Sequence, residues 1–251
     1  MHTTPPHSTA GVFCAIMITL CTMHLCRSDF TLRPMPKKEV IKRYLLFILS
    51  LCISALGVAL TKSAELGVSP ISSVANVLFI RFPKISMGNW LILWNCVMIA
   101  AQIAILRRDF KPRDLLQVPL SVLFGRFTDL WMAALAGISL TAYPARLLLV
   151  FVGIAVNGFG ITLAVVAAVI MNSGEALVRA VTEKSGKVFG NVKIGFDVFC
   201  VALSIVMSLA MFGGRILGTR EGTVLSALLT GVCIRFYTGK VQKPLDKLLK
   251  Q

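Results

Sequence analysis

Charged residues are scarce in this chain, and acidic residues are the scarcest. The 251 residues include 11 Asp and Glu against 26 Lys and Arg, and charged residues make up 15%, whereas a soluble domain carries about 25%. Hydrophobic residues make up 56%, and the mean hydropathy is +0.81. This composition excludes a disordered chain and a soluble globule, and it makes the lipid bilayer the expected solvent.

Groups that support catalysis or metal binding are also missing from most of the chain. The only histidines are His2, His7 and His24, so the remainder has no imidazole base. No phosphate-binding loop, dinucleotide fingerprint or zinc-protease motif occurs, and the seven cysteines lie in apolar surroundings without a CxxC pair. We therefore predict that the protein is not an enzyme and holds no metal, cofactor or disulfide framework.

The net charge of +15 raises the hypothesis of a nucleic-acid-binding protein. Such a protein clusters Lys and Arg on one face, with stacking aromatic residues among them. Here the basic residues fall in short segments between apolar runs. That distribution is typical of the charges that set the topology of a membrane protein, so no nucleic-acid partner is expected.

Six apolar runs have about the 17 to 25 residues that a tilted transmembrane helix needs. They cover residues 44–61, 87–106, 115–135, 147–171, 192–212 and 222–238. The sequence therefore predicts an all-α fold, a polytopic membrane helix bundle of about six transmembrane helices. This transmembrane domain occupies residues 35–238.

The two ends of the chain are predicted to differ from this domain. Residues 1–34 form an N-terminal extension, and their apolar stretch 11–26 leaves open an extra hydrophobic helix or a signal-like segment. Lys and Arg are concentrated in alternate loops and in residues 239–251. Because these residues accumulate on the cytoplasmic side, we expect a multi-pass plasma-membrane protein whose C-terminus is a basic cytoplasmic tail.

The two halves of the chain share a pattern of residues at nearly constant spacing. The matches are Gly57 with Gly160, Ser69 with Ser173, Lys84 with Lys187, Asn95 with Asp197, and LSVLFG from Leu120 with LSALLTG from Leu225. Repeat one covers about 44–135, and repeat two covers about 147–238. Since each has three crossings, an odd number, the second enters the membrane from the opposite side, which predicts two three-span inverted repeats.

Each repeat contains a short segment that cannot span a bilayer. Residues 68–80 begin with Ser69 and Pro70, and residues 172–185 begin with Asn172 and Ser173, which are residue types typical of helix starts. Both segments are predicted to be short re-entrant or interfacial helices. Ser69 and Ser173 are candidate anion-binding residues, because a helix start offers free N–H groups and a positive dipole end. A surface helix that only seals a loop is the alternative.

Polar residues inside the predicted spans are candidate substrate- or ion-binding groups, because they are costly in lipid. Arg126 and Asp129 lie three residues apart, share a helix face and can pair with each other. Asp197 can be neutralised by Lys193, four residues earlier. Asn95 is the residue of repeat one that matches Asp197. Thr223 follows a glycine-rich turn and is predicted to cap the last span. A purely structural polar pair is the alternative to substrate binding or proton coupling.

Three stretches of the sequence resemble a known family. They are LGVSPISS from Leu66, LLQVPLSVLFGRFTDL from Leu115, and the turn REGT from Arg220. From about Tyr44 to Phe236 the chain resembles the YczE/YyaS/YitT family of bacterial integral membrane proteins. The resemblance implies a multi-pass plasma-membrane protein and supplies no established catalytic or ligand residues.

Duplicated halves around buried polar residues favour a small-solute transporter or permease, which works by alternating movement of its two halves. The expected partners are the lipid bilayer and a small-molecule or ion substrate, and a homo-oligomer is left open. The alternative is a non-transporting membrane scaffold or regulatory component. An enzyme acting on lipid is a third hypothesis.

Overall fold

The computed structural model describes residues 37–137 and 140–250, which contain eight α-helices and no β-strand. The helices are α1 (Lys37–Ser63), α2 (Pro70–Arg81), α3 (Met87–Leu106), α4 (Gln117–Ala134), α5 (Tyr143–Ala167), α6 (Ser173–Ser185), α7 (Phe189–Met211) and α8 (Glu221–Lys250). Two turns of 3₁₀-helix, Arg107–Asp109 and Pro112–Leu116, connect α3 to α4. The predicted all-α class is confirmed, while the predicted extension at residues 1–34 lies outside the described residues.

Five of these helices are long and apolar enough to cross a membrane. The candidate spans are Lys38–Ser63, Met87–Asp109, Tyr143–Ala167, Phe189–Met211 and Glu221–Lys247. Helix α4, the third of the six predicted spans, is not among them. It has 18 residues and includes both Arg126 and Asp129, which lower its apolar content. The described chain is therefore a polytopic helical membrane protein with five candidate spans rather than six.

Helices α2 and α6 confirm the two predicted short segments. They have 12 and 13 residues, which at about 1.5 Å per residue gives lengths of about 20 Å, less than the hydrocarbon core of about 30 Å. The N-cap positions are Ser69 and Asn172, as the sequence predicts, but neither side chain bonds an N–H group of its own helix. The Ser69 hydroxyl instead donates to Oγ of Ser72 at 3.0 Å.

Helices α1 and α5 form the most extensive contact of the bundle. A Cβ atom on Gly57 would lie 2.5 Å from the backbone N of Asn157, and a Cβ atom on Gly160 would lie 2.6 Å from the backbone N of Ser54. These glycines let the two backbones approach each other. In lipid there is no hydrophobic driving force between helices, so close packing and hydrogen bonds must hold α1 and α5 together.

An apolar core forms where α1 meets α3, α4 and the residues after α5. Its buried members include Phe47, Leu51, Met87, Leu91 and Phe124. The indole N–H of Trp131, on α4, also donates to the carbonyl of Cys52, on α1, at 3.1 Å. This packing places α4 against α1 and α3, both candidate spans.

Each short helix packs against a long helix from the other half of the chain. Helix α2, from the first half, contacts α7, and α6, from the second half, contacts α3. Each also contacts the long helix that follows it in sequence. The two halves are therefore interleaved through their short helices.

The C-terminal end of α5 is closed by a buried arginine. The Arg43 guanidinium donates to the carbonyls of Val166 at 3.3 Å and Ala167 at 3.2 Å, and it pairs with Glu39 at 2.9 Å. Ala168 follows in the left-handed region with a φ of 51°. A cation favourably meets the negative end of the helix dipole here.

Helix α8 differs from the predicted last span at both ends. It begins at Glu221, so Thr223 lies in its first turn and is not the cap that the sequence predicts. The helix also continues through Pro244 to Lys250 rather than ending near residue 238. The apolar part of the sequence ends near residue 238, where charged residues begin. Lys, Gln and Leu are good helix formers, so the backbone remains helical beyond the apolar part.

Candidate binding site where the short helices meet

The N-terminal ends of α2 and α6 meet inside the bundle. A Cβ atom on Gly174, in the first turn of α6, would lie 2.8 Å from Cδ1 of Ile71, in the first turn of α2, and 3.6 Å from the sulfur of Met98. Ser173 and Gly174 are buried. Two helix starts, each with free N–H groups and a positive dipole end, are thus brought together near the middle of α3.

A buried polar network surrounds the start of α6. The Ser173 hydroxyl donates to Oδ1 of Asn95 at 2.7 Å, and the Gln102 amide donates to the Ser173 carbonyl at 2.9 Å. The side-chain amides of Gln102 and Gln117 also bond each other reciprocally at 3.2 Å. All four residues are buried. The structure therefore joins Asn95 and Ser173, two predicted site residues from opposite halves of the chain.

A small cavity adjoins this network. Its lining includes Phe47 and Leu51 from α1, Gln117 and Ser121 from α4, and Asn172 and Ser173 at the start of α6. Asn172 is exposed, whereas its neighbour Ser173 is buried. The cavity therefore lies beside the polar network at the helix start, between α1, α4 and α6.

A second polar layer lies between α7 and the start of α8. The hydroxyls of Ser204 and Thr219 are 2.8 Å apart, and the Ser208 hydroxyl accepts from the backbone N–H of Leu217 at 2.7 Å. The connection before α8 thus folds back along α7. Ser204 and Thr219 are 15 residues apart in the sequence, which is also the separation between Gln102 and Gln117 in the first half of the chain.

Four buried polar atoms near α8 have no hydrogen-bond partner among the described residues, and one of them is Oγ1 of Thr230. The other three are Oγ1 of Thr223, Oγ of Ser226 and Oδ1 of Asn76, whose amide nitrogen donates to the Gly218 carbonyl at 2.7 Å. A buried polar atom without a partner costs about 1–3 kcal/mol. Thr223 is therefore buried without a hydrogen-bond partner for its hydroxyl, and it is not joined to Asn95 and Ser173.

A separate group of charged side chains lies where α6 packs against α7. Nζ of Lys193 donates to Oδ1 of Asp197 at 2.6 Å, which confirms the predicted neutralisation of this aspartate. Glu175 lies in the first turn of α6, and both charges affect its pKa. Burial raises the pKa of Glu175, Lys193 lowers it, and Asp197 raises it further.

Glu175 is a residue that the sequence analysis missed. It is half-buried and lies two residues after Ser173, inside the predicted short helix. An acidic residue in a first helical turn is ordinarily attributed to the helix dipole. The proximity of Lys193 and Asp197, which are distant in sequence, could not be derived from spacing alone.

Arg126 and Asp129 lie away from this region and have separate surroundings. One carboxylate oxygen of Asp129 accepts from the Ser86 hydroxyl and the other from the backbone N–H of Gly88, each at 2.7 Å. Asp129 therefore holds the start of α3, while Arg126 is exposed. Within residues 37–137 and 140–250 no ion pair joins the two residues, so the expected pairing is replaced by this contact.

The fold and this buried polar site define a polytopic α-helical membrane protein. The chain belongs to the family of unknown function DUF6198, whose profile matches residues 41–239. It is similar to the uncharacterized membrane protein YczE of Bacillus subtilis (strain 168), with 29% identity over 201 residues that cover 80% of this chain and 87% of that protein. The resemblance stated from the sequence motifs is thereby confirmed. No solved structure matches the chain.

Proposed function

We propose that this protein is a small-solute transporter of the bacterial plasma membrane, built from two inverted three-span repeats. The observation that carries the proposal is the meeting of the α2 and α6 helix starts at Ile71 and Gly174, deep in the bundle. Broken or short helices whose N-terminal ends point at a midplane site are typical of transporters with inverted repeats.

Reciprocal contacts between the halves support the inverted repeats. Gly57 contacts Asn157, and its sequence match Gly160 contacts Ser54. Ser54 lies three residues before Gly57, just as Asn157 lies three residues before Gly160. A two-fold axis between two copies produces such an exchange, in which each copy offers the same surface to the other.

Helix α4 is the third crossing of the first repeat in this proposal. Its 18 residues give a length of about 27 Å, close to the hydrocarbon thickness of about 30 Å. It packs along α1 and α3, which are candidate spans. The exposed Arg126 has a long side chain that can extend toward the interface, which lowers the cost of a charge in this helix.

Substrate would bind at the polar network around Ser173 and Asn95. The positive ends of two helix dipoles favour a solute with an anionic group, and the side-chain amides supply hydrogen bonds. The two halves would then move relative to each other around this site. The excess of Lys and Arg in alternate loops and in the C-terminal segment supports a cytoplasmic C-terminus.

The test is solute uptake into liposomes that contain the purified protein. A mixture of small anionic and neutral metabolites is offered under proton and sodium gradients, and accumulated solutes are identified by mass spectrometry. We expect saturable uptake that Ser173→Ala reduces at least several-fold, whereas Ser185→Ala, at the exposed end of the same helix, leaves it unchanged. A wild-type protein without saturable flux under any gradient contradicts the proposal and favours the scaffold or regulatory alternative.

A further inference from the structure

The start of α6 has free backbone N–H groups at a buried position. The first hydrogen bond within this helix runs from the Ala176 N–H to the Asn172 carbonyl at 2.8 Å. The N–H groups of residues 173–175 therefore have no carbonyl of their own helix to bond. Asn172 provides no side-chain cap, and Ser173 and Gly174 are buried. A helix start enclosed in protein needs hydrogen-bond acceptors from elsewhere.

The polar side chains around this helix start do not supply those acceptors. The Ser173 hydroxyl donates to Oδ1 of Asn95 at 2.7 Å, and the Ser173 carbonyl accepts from the Gln102 amide at 2.9 Å. Oε1 of Gln117 accepts from the same Gln102 amide at 3.2 Å. Within the described parts of the chain, these groups bond one another and leave the N–H groups of the helix start free.

Ser121 adds a free hydroxyl on the α4 wall of the neighbouring cavity. It is 5% exposed and lines the cavity together with Ser173. Its hydroxyl makes no hydrogen bond to another residue of 37–137 or 140–250, whereas Thr128, two turns later in α4, donates to the Phe124 carbonyl at 2.9 Å. Because buried hydroxyls are ordinarily hydrogen-bonded, the cavity has an unused donor on α4 as well as those on α6.

The size of the cavity limits what can bind to these donors. The cavity offers about 10 Å³ to the centre of a water-sized particle, and one water molecule needs about 10–15 Å³ on the same measure. The rest of the lining is apolar and consists of Phe47, Leu51, Leu120 and Met171. A carboxylate or phosphate group is too large for this space, whereas a monatomic anion is close to water in size.

The surroundings of the cavity favour a negative charge over a neutral water molecule. Among the described residues no acidic side chain lines it, and Glu175, in the first turn of α6, is not part of the lining. The positive dipole ends of α2 and α6 meet nearby. Arg113 also donates to the Val169 carbonyl at 3.3 Å, two residues before Met171 of the lining. An anion can accept from every free donor at once.

We propose that this cavity binds a single halide ion, held by the N–H groups at the start of α6 and by the Ser121 hydroxyl. The lining combines α1 and α4 from the first half of the chain with the start of α6 from the second, so the ion lies between the two halves. The inference rests on the proposed transport function for movement of the ion, with a halide as the anionic solute, but not for its binding.

Chlorine NMR of the purified protein in detergent tests binding without any flux. The line of dissolved chloride broadens when the ion exchanges with a protein site, and its concentration dependence gives the affinity. We expect an affinity that falls about tenfold in Ser121→Ala, which removes a hydrogen bond to a charge. Ser226→Ala, which removes a buried hydroxyl from the matching position of α8, should retain it. No broadening by the wild type, or equal affinity in Ser121→Ala, overturns the proposal.

Competition in the wild type keeps the test decisive if Ser121→Ala does not fold. Bromide should narrow the chloride line, because it can occupy the same cavity. Gluconate at the same ionic strength should not narrow it, because this anion is too large to enter. Equal narrowing by the two anions assigns the bound chloride to the exposed basic surface and overturns the proposal.

Movement of the ion is tested by chloride release from loaded liposomes, followed with an ion-selective electrode. The wild type and Ser226→Ala should release chloride at the same rate, and Ser121→Ala should be several-fold slower. Equal release by Ser121→Ala contradicts a path through this cavity. Since the NMR line reports binding without flux, a wild type that binds chloride but releases none contradicts only the proposed transport function.

Discussion

Gly57 lies directly against the backbone of Asn157. A Cβ atom at position 57 would be 2.5 Å from the backbone N and 2.7 Å from Cα of Asn157. Backbone atoms cannot rotate away as a side chain can, so any larger residue must separate α1 from α5. The contact between the two halves thus depends on the absence of a side chain at this position.

Gly57→Ala and Gly160→Ala are therefore expected to lower the free energy of unfolding by about 1–3 kcal/mol each, because added atoms overpack a close helix contact. Gly195→Ala, on α7, is the control, since a Cβ atom there meets nothing within 4 Å. Melting temperatures in detergent, read by loss of the monodisperse size-exclusion peak, measure the effect. Equal stability of all three variants contradicts the close α1–α5 contact.

Ser173→Ala should destabilise the contact between α6 and α3. The substitution leaves Oδ1 of Asn95 without its donor at a buried position, at a cost of about 1–3 kcal/mol. Ser185→Ala removes a hydroxyl from the exposed end of the same helix and should change stability by less than about 0.5 kcal/mol. Thermal unfolding compares the two, and an equally small effect of both is evidence against the buried bond.

Asp129→Ala should lower the thermal stability of the protein more than Arg126→Ala does. The carboxylate of Asp129 accepts two hydrogen bonds at the start of α3, and loss of such a capping group costs about 0.5–2 kcal/mol. Arg126 is exposed and should tolerate alanine. If the two residues instead worked as a pair, their thermal shifts would be similar and the double variant would show strong coupling.

The stability of the protein should fall as pH rises through the pKa of Glu175. Because this pKa is raised in the folded protein, the folded state binds more protons than the unfolded chain above the ordinary value of about 4.3. The stabilising contribution is complete below that value and is lost as pH approaches the raised pKa. Melting temperatures across this window should slope less for Glu175→Gln than for wild type or Glu183→Gln.

Local sequence chemistry predicts the short helices well. Ser69 before Pro70 and Asn172 before Ser173 fix the starts of α2 and α6, and the structure places both where the sequence does. The prediction succeeds because a helix start depends on a few adjacent residues. The contact between the two starts is a tertiary property that repeat matching suggests only indirectly.

Long-range partners account for the predictions that differ from the structure. Asp129 sits three residues from Arg126, yet it bonds to Ser86 and Gly88, because the close packing of α3 on α4 brings that helix start within reach. Glu175 was missed for the same reason. Spacing along one helix identifies neighbours on that helix, whereas the groups that bond Asp129 and the charges that affect the pKa of Glu175 lie on another.

The most direct test of the account is the side of the membrane on which Lys84 and Lys187 lie. These two exposed residues match each other in the two halves and follow α2 and α6. Each is replaced by cysteine after the seven native cysteines are removed, and intact cells are treated with a membrane-impermeant maleimide. We predict labelling of Lys84→Cys from outside and of Lys187→Cys only after the cells are opened. Labelling of both from the same side contradicts the inverted repeats and the transport mechanism built on them.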